Sequence, residues 1–147
     1  MTIKFSITDQ PAETVAAACI VVGVFEDRML TVAAARVDEK SGGAIKRLVD
    51  ALDINGKVGT SQLLFALAGV AAPRVLVVGL GEQKKFDAAR FQRACAEAAR
   101  VLKSLPIDSA VSYLTDVEVP GRDAAWAVRT AAIATDAQVY KYTATFK

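Results

Sequence analysis

The run Arg74-Val75-Leu76-Val77-Val78-Gly79-Leu80-Gly81 constrains this chain more than any other feature. It is short, continuously apolar and bounded by Pro73 and by glycines, the pattern of a strand buried on both faces. Such a strand needs a layer of structure above it and another below. A polar turn, Glu82-Gln83-Lys84-Lys85, comes next, and then Asp87, whose carboxylate can accept hydrogen bonds from the unpaired amides of a following helical turn. Beyond it Phe91, Cys95, Ala98, Leu102 and Leu105 recur at spacings of four and three and form one apolar helical stripe. Arg90, Arg93, Glu97, Arg100 and Lys103 occupy the other side. The whole reads as a strand, turn and helix of an α/β domain.

Gly79 and Gly81 begin a G-x-G between strand and helix, which invites a nucleotide reading. The third glycine of the dinucleotide fingerprint is replaced by Lys84, and no acidic residue follows at the required distance on a second strand. The fingerprint fails, and the two glycines read as a sharp turn from a core strand into its helix.

Upstream, Ile3, Phe5 and Ile7 alternate with Lys4, Ser6 and Thr8, which predicts an edge or near-edge strand. Val15 to Phe25 predicts a second buried strand with its core at Cys19 to Phe25. Leu30, Ala33, Ala34 and Val37 predict a short helix; Ile45, Leu48, Val49 and Leu52 predict a longer one starting near Ser41. Gly42 and Gly43 would lie in its first turn, where bare backbone can approach a phosphate, although close approach to the sheet explains them more simply. Asn55-Gly56 and Gly59 mark a turn, and Gln62 to Leu67 the next strand. Ser109 to Leu114 predicts another strand, and Trp126, Thr130, Ile133 and Ala137 mark one stripe of a last helix from about Asp123. Tyr140, Tyr142 and Phe146 alternate at the end with Lys141, Thr143 and Lys147, so an extended segment would carry three aromatics on one side. These elements together give an α/β fold, a three-layer αβα arrangement around a mixed sheet of five or six strands.

At 147 residues and 53% apolar composition the chain suits one domain with a substantial core. No apolar run reaches the ~17 to 25 residues of a membrane-spanning helix, and Met1-Thr2-Ile3-Lys4 does not open like a signal peptide, so no membrane association and a cytoplasmic location are expected. The chain has no histidine, which removes the commonest general base and metal ligand together. Cys19 and Cys95 both fall on apolar positions and read as packing residues. The acidic residues Asp38 and Glu39, Asp50 and Asp53, and Asp116 and Glu118 form scattered pairs, whereas a hard cation needs three or more converging oxygens.

The succession of Cys19-Ile20-Val21-Val22-Gly23-Val24-Phe25-Glu26, Ser41-Gly42-Gly43-Ala44-Ile45, Asp53-Ile54-Asn55-Gly56-Lys57-Val58-Gly59 and Arg74 to Gly81 resembles the amino-terminal domain of the leucine aminopeptidase family, over nearly the whole chain. The resemblance implies a macro-domain-like fold, with residues 1–136 as the domain and 137–147 as the start of a linker to a carboxy-terminal catalytic domain. It implies a cytosolic parent enzyme that releases amino-terminal residues, leucine preferred, through two divalent ions, zinc or manganese, in that catalytic domain. It also implies that this chain caps the catalytic domain and helps to organise a hexamer. The family's catalytic signature, Asn-Thr-Asp-Ala-Glu-Gly-Arg, is missing; Ala134-Thr135-Asp136-Ala137 comes nearest and lacks its flanks. No catalytic, metal or cofactor residue is therefore assigned, and the chain alone is expected to be inactive.

Two further readings remain open. One is a free-standing module for a nucleotide or ADP-ribose, resting on the implied fold, Gly42-Gly43 and Gly79-x-Gly81. The other is DNA binding through the basic helix 87–103, since Lys84, Lys85, Arg90, Arg93, Arg100 and Lys103 face only Asp87 and Glu97 in that stretch, and some bacterial members of the resembled family bind DNA. No interleaved aromatic supports base stacking there, and the net charge of +2 is mild.

Overall fold

The structure, a computed structural model, describes residues 4–6, 10–138 and 143–145. A six-stranded sheet is built from β1 (Lys4–Ser6), β2 (Ile20–Val24), β3 (Ser61–Phe65), β4 (Arg74–Gly79), β5 (Ser109–Ser112) and β6 (Thr143–Thr145) in the order β3-β4-β2-β5-β1-β6. Every neighbouring pair is parallel except β3 with β4, so the sheet is mixed as expected. The helices are α1 (Val32–Lys40), α2 (Ala44–Asp50), α3 (Ala88–Lys103) and α4 (Ala124–Gln138).

Alternation along the two valine-rich strands divides the core. Val21, Leu76 and Val78 face α3 and α4. Ile20, Val22, Val24, Val75 and Val77 face α1 and α2. β2 and β4 pair over five residues, from Ile20 with Val75 to Val24 with Gly79, and all ten are buried. Gly23 keeps the α3 side open, because a Cβ there would lie 2.7 Å from Leu80 Cδ1. This strand pair is the body of the fold, and each fully buried valine or leucine in it contributes about 1.5–3 kcal/mol over an exposed one.

α3 starts where expected. The Asp87 carboxylate accepts from the Arg90 amide at 3.0 Å, and Phe91, Cys95, Ala98 and Leu102 are buried. Asp123 caps α4 in the same way, accepting from Trp126 N at 2.8 Å.

Four expectations need correction. α2 is seven residues long and shorter than the nine-residue α1, and it begins at Ala44, not near Ser41. Gly42 and Gly43 precede it with φ of +75° and +89°, and Leu52 lies past its end with φ of +66°, so the chain reverses at both ends and leaves room for barely two turns. The glycines are not there for close approach to the sheet: a Cβ on Gly42 would meet nothing within 4 Å, and it is the left-handed backbone that requires them. Leu30 does not enter α1 but bridges to Val24 beside it. The face of α4 was misplaced too, since Ala127 and Ala131 are the buried positions while Ile133 is 68% exposed.

β1 lies one strand in from the β6 edge, in keeping with a near-edge position; Ile3 and Ile7 lie outside the described residues. So do Tyr140, Tyr142 and Phe146. Within the segment expected to leave the domain, residues 137 and 138 end α4, and Thr143–Thr145 adds β6 to the sheet beside β1.

Candidate functional site

Because β2, β4 and β5 are parallel, their carboxyl ends open on the same side, the place where α/β sheets form their crevices. A cleft of about 300 Å³ lies there. Phe25 at the end of β2 and Phe86 before α3 form one wall, packed edge to face with centroids 5.6 Å apart. Phe86 continues through Phe91 to Trp126, an aromatic chain that ties the wall to α3 and α4. Tyr113, just past β5, is buried and donates its hydroxyl proton to the Gln10 carbonyl at 2.7 Å. Val117 and Pro120 complete the apolar lining. The first residues of α1 stand at the opening, with Thr31 Oγ1 accepting from Ala34 N at 3.3 Å.

The charged groups in this lining are Asp116 and Glu118; no lysine or arginine belongs to it among the described residues. Burial and the neighbouring carboxylates of Asp116 and Glu13 push the Tyr113 phenol up to about 12. A smaller groove of about 200 Å³ continues past Tyr113 and Asp116 to Arg36. That guanidinium is already committed, donating from Nε and Nη2 to the two Glu13 carboxylate oxygens at 3.1 Å each.

The glycine motifs contribute no phosphate cradle. All three amides of Gly79-Leu80-Gly81 are bound internally, donating to Thr60, Val24 and Gly56 carbonyls at 2.9, 2.9 and 2.8 Å. Gly81 carries the turn with φ of +83°. Gly79 is a close-approach position, since a Cβ there would overlap the Lys57 carbonyl. At α2, Gly43 N donates to Asp38 O at 2.8 Å, and the Asp38 carboxylate accepts from Lys46 N at 2.8 Å. An anion would find this helix start filled.

The basic stretch is half neutralised. Lys85 pairs with Glu82 at 3.0 Å, Arg90 with Asp87 at 3.1 Å and Arg100 with Glu97 at 2.7 Å. Glu97 is not on a solvated face, for its side chain is only 10% exposed and also accepts from Ser61 Oγ of β3 at 2.6 Å. Arg90 and Arg93 lie over the glycine turns at Gly81 and Gly59.

Cys19 and Cys95 are buried, and desolvation pushes both thiols up to about 12. Among the described residues no three cysteine or carboxylate side chains gather to hold a metal ion, and no helix is long and apolar enough to cross a membrane. The cleft residues do not stand out as a site from sequence, where Asp116 and Glu118 read as one of several scattered acidic pairs. Their common signal is position, each lying just past a parallel strand or at the start of a neighbouring helix.

Residues 21–145 match the family model described as "Cytosol aminopeptidase family, N-terminal domain". The chain is 43% identical over 145 residues to a probable cytosol aminopeptidase of Xylella fastidiosa, an alignment covering 99% of this chain and 30% of that protein. It thus spans about a third of the length of the curated relatives it matches. Among solved structures, a tomato leucine aminopeptidase variant superposes with a TM-score of 0.66 at 19% identity, over 95% of this chain and 28% of the other. The macrodomain of Mycobacterium tuberculosis DarG superposes with a TM-score of 0.70 at 13% identity, over 97% and 95%. These two likenesses establish the macro-like fold expected from the sequence. The family match and the identity to the Xylella protein go further: the chain belongs to the cytosol aminopeptidase family and corresponds to its N-terminal domain.

Proposed function

We propose that this chain is the non-catalytic N-terminal domain of a cytosolic leucyl aminopeptidase, which caps the catalytic domain and contributes to assembly of a hexamer. The observation that carries the reading is the alignment, in which 99% of this chain accounts for 30% of a relative called a cytosol aminopeptidase. The chemistry of the parent belongs to the remaining length: two zinc or manganese ions that activate water and polarise the scissile carbonyl of an amino-terminal, preferably leucyl, residue. Residues 1–136 form the domain, and 137–147 begin the connection to the catalytic domain, a stretch in which β6 still pairs with β1.

The chemical makeup of the chain supports an inactive fragment. It has no histidine and lacks the sequence Asn-Thr-Asp-Ala-Glu-Gly-Arg, and its two thiols are too buried and too weakly acidic to serve as nucleophiles. The chain alone, assayed on leucine amide with added manganese or zinc, is expected to show no turnover above a metal-only blank. The longer protein should hydrolyse it, and deleting residues 1–147 should reduce that protein from a hexamer to smaller species on gel filtration. Turnover by the chain alone contradicts its non-catalytic role; a hexamer that survives the deletion contradicts its part in assembly.

A further inference from the structure

β3 lies at the edge of the sheet beyond β4, and its register decides which of its backbone groups are already committed. Gly79 N donates to Thr60 O and Ala66 N to Pro73 O, both at 2.9 Å, and between them the pairing runs from Ser61 with Val78 to Phe65 with Arg74. Only alternate residues of an antiparallel ladder bond to the neighbouring strand, so Thr60, Gln62, Leu64 and Ala66 turn their backbone groups towards β4. The amides and carbonyls of Ser61, Leu63 and Phe65 point outward and have no backbone partner among the described residues. Such an edge is a template for another strand, and charged side chains or proline usually guard it. Here the guard is missing: β3 reads Ser-Gln-Leu-Leu-Phe, and no charged residue occurs between Val58 and Pro73. Its last residue, Phe65, is 61% exposed.

We propose that β3 pairs antiparallel with β3 of a second copy of this chain, about a two-fold axis at Leu63, so that two six-stranded sheets become one. The pairing belongs to the chain's own edge and goes beyond its proposed role in the parent. The backbone is complementary to itself in this register. Gly59 and Ala66 turn the chain on either side with φ of +85° and +53°, which confines the straight edge to β3. Centring on Leu63 sets Ser61 against Phe65 of the second copy and Leu63 against its equivalent, and every outward amide and carbonyl of both strands is then bonded. A slip of two residues would leave some of them without partners. The side chains are complementary as well. Ser61, Leu63 and Phe65 share the α3 face, since Ser61 Oγ donates to Glu97 at 2.6 Å and Leu63 packs with the α3 cluster. The exposed ring of one copy thus stands opposite Ser61 of the other, where Glu97 accepts from Arg100 Nε and Nη2 at 2.9 and 2.7 Å. That guanidinium side chain, 64% exposed in a single copy, meets the electron-rich face of the incoming ring, and the two-fold axis repeats the contact. A strand of unrelated sequence would satisfy the backbone but would not bring an aromatic to that point.

The test is sedimentation equilibrium of the 147-residue chain, with amide hydrogen exchange followed by NMR in dilute and concentrated samples. Two strands of this length bury less than the ~800 Å² per partner of a standard interface, so a dimer with Kd on the order of 100 µM is expected. At about 1 mM roughly one chain in five is then monomeric, and the amides of Ser61, Leu63 and Phe65 should exchange about fivefold more slowly than in dilute solution. Those of Gln62 and Leu64, bonded to β4 in either state, should not change. Phe65→Lys alters an exposed side chain and should weaken the dimer at least about tenfold, with circular dichroism and Tm as in the original. The proposal is overturned by a chain that stays monomeric at about 1 mM, by a dimer in which the three outward amides gain no protection, by undiminished association of Phe65→Lys, or by open-ended aggregation in place of a dimer. None of these results bears on the hexamer of the longer protein, which the deletion experiment decides separately.

Discussion

Replacing Gly79 by alanine tests the claim that the end of β4 is built around backbone contact. Gly79 is not among the glycines with positive φ, so alanine suffers no conformational penalty there. The cost is wholly steric. A Cβ would overlap the Lys57 carbonyl oxygen and stand 2.8 Å from the carbonyl carbons of Gly56 and Lys57, all backbone atoms that cannot rotate away. The loop over residues 56–60 must therefore move off the strand, and overpacking of this kind costs about 1–3 kcal/mol, occasionally more. Displacement also strains two bonds between the loops, Gly79 N to Thr60 O at 2.9 Å and Gly81 N to Gly56 O at 2.8 Å, each contributing about 1 kcal/mol net. The sum is about 3–5 kcal/mol, a large share of the roughly 5–15 kcal/mol that holds a domain folded. At this chain length that lowers Tm by about 10–15 °C. Gly42→Ala is the control, because it meets open space and carries only the left-handed backbone penalty of about 1–2 kcal/mol. Urea and thermal unfolding followed by circular dichroism compare the two. A Gly79→Ala protein within about 1 kcal/mol of the original, or no worse than Gly42→Ala, would refute the reasoning.

Two other outcomes follow from buried groups. Neither thiol should react with a disulfide reagent in the folded chain at mildly alkaline pH, since burial pushes both up to about 12, and both should react at once in denaturant; rapid native labelling of either would show that the core opens easily. The Glu97 carboxyl is held below its usual 4.5, first by the Arg100 guanidinium and then by the Ser61 hydroxyl, against the opposing effect of burial. A lowered folded pKa makes its stabilisation complete above the ordinary carboxylate range and lost as pH falls through the lowered value. Urea midpoints of the original chain and Glu97→Gln should thus differ most above about pH 4.5 and converge below it, and a constant gap would assign the effect to packing instead.

The parts legible from sequence were those in which a residue's neighbours along the chain carry the signal. β2 and β4 announce themselves as valine runs, Asp87 and Asp123 sit one turn before the amides they cap, and the α3 stripe needs only its own period. Glu97 shows where that kind of reading ends. Its spacing to Arg100 was visible, but its contact with Ser61 crosses 36 positions and turns an apparently solvated residue into a tie between α3 and the β3 edge. Gly42 and Gly43 were noticed for the wrong reason, since sequence cannot tell a glycine needed for its φ from one needed for lack of a Cβ. Gly79 is the reverse case, its partner Lys57 being brought in by the turn that precedes β3.

The α4 face and the cleft were illegible for a shared reason. α4 is apolar nearly all round and rich in alanine, so its own period selects no face. The choice falls to α3, whose small buried residues Ala94, Ala98 and Ala99 let Ala127 and Ala131 come close and turn Ile133 outward. The cleft likewise takes Phe25, Thr31, Phe86, Tyr113 and Glu118 from stretches that share no motif. Parallel pairing of β2 with β4 and β5 sets their carboxyl ends side by side, and only then do a phenylalanine after one strand and a carboxylate after another face one volume. A site of this kind is a property of topology. Its lining can be gathered from the sequence only after the strand order is known, which is why Asp116 and Glu118 read as one scattered pair among several until the sheet brought them into the same cleft as Phe25 and Phe86.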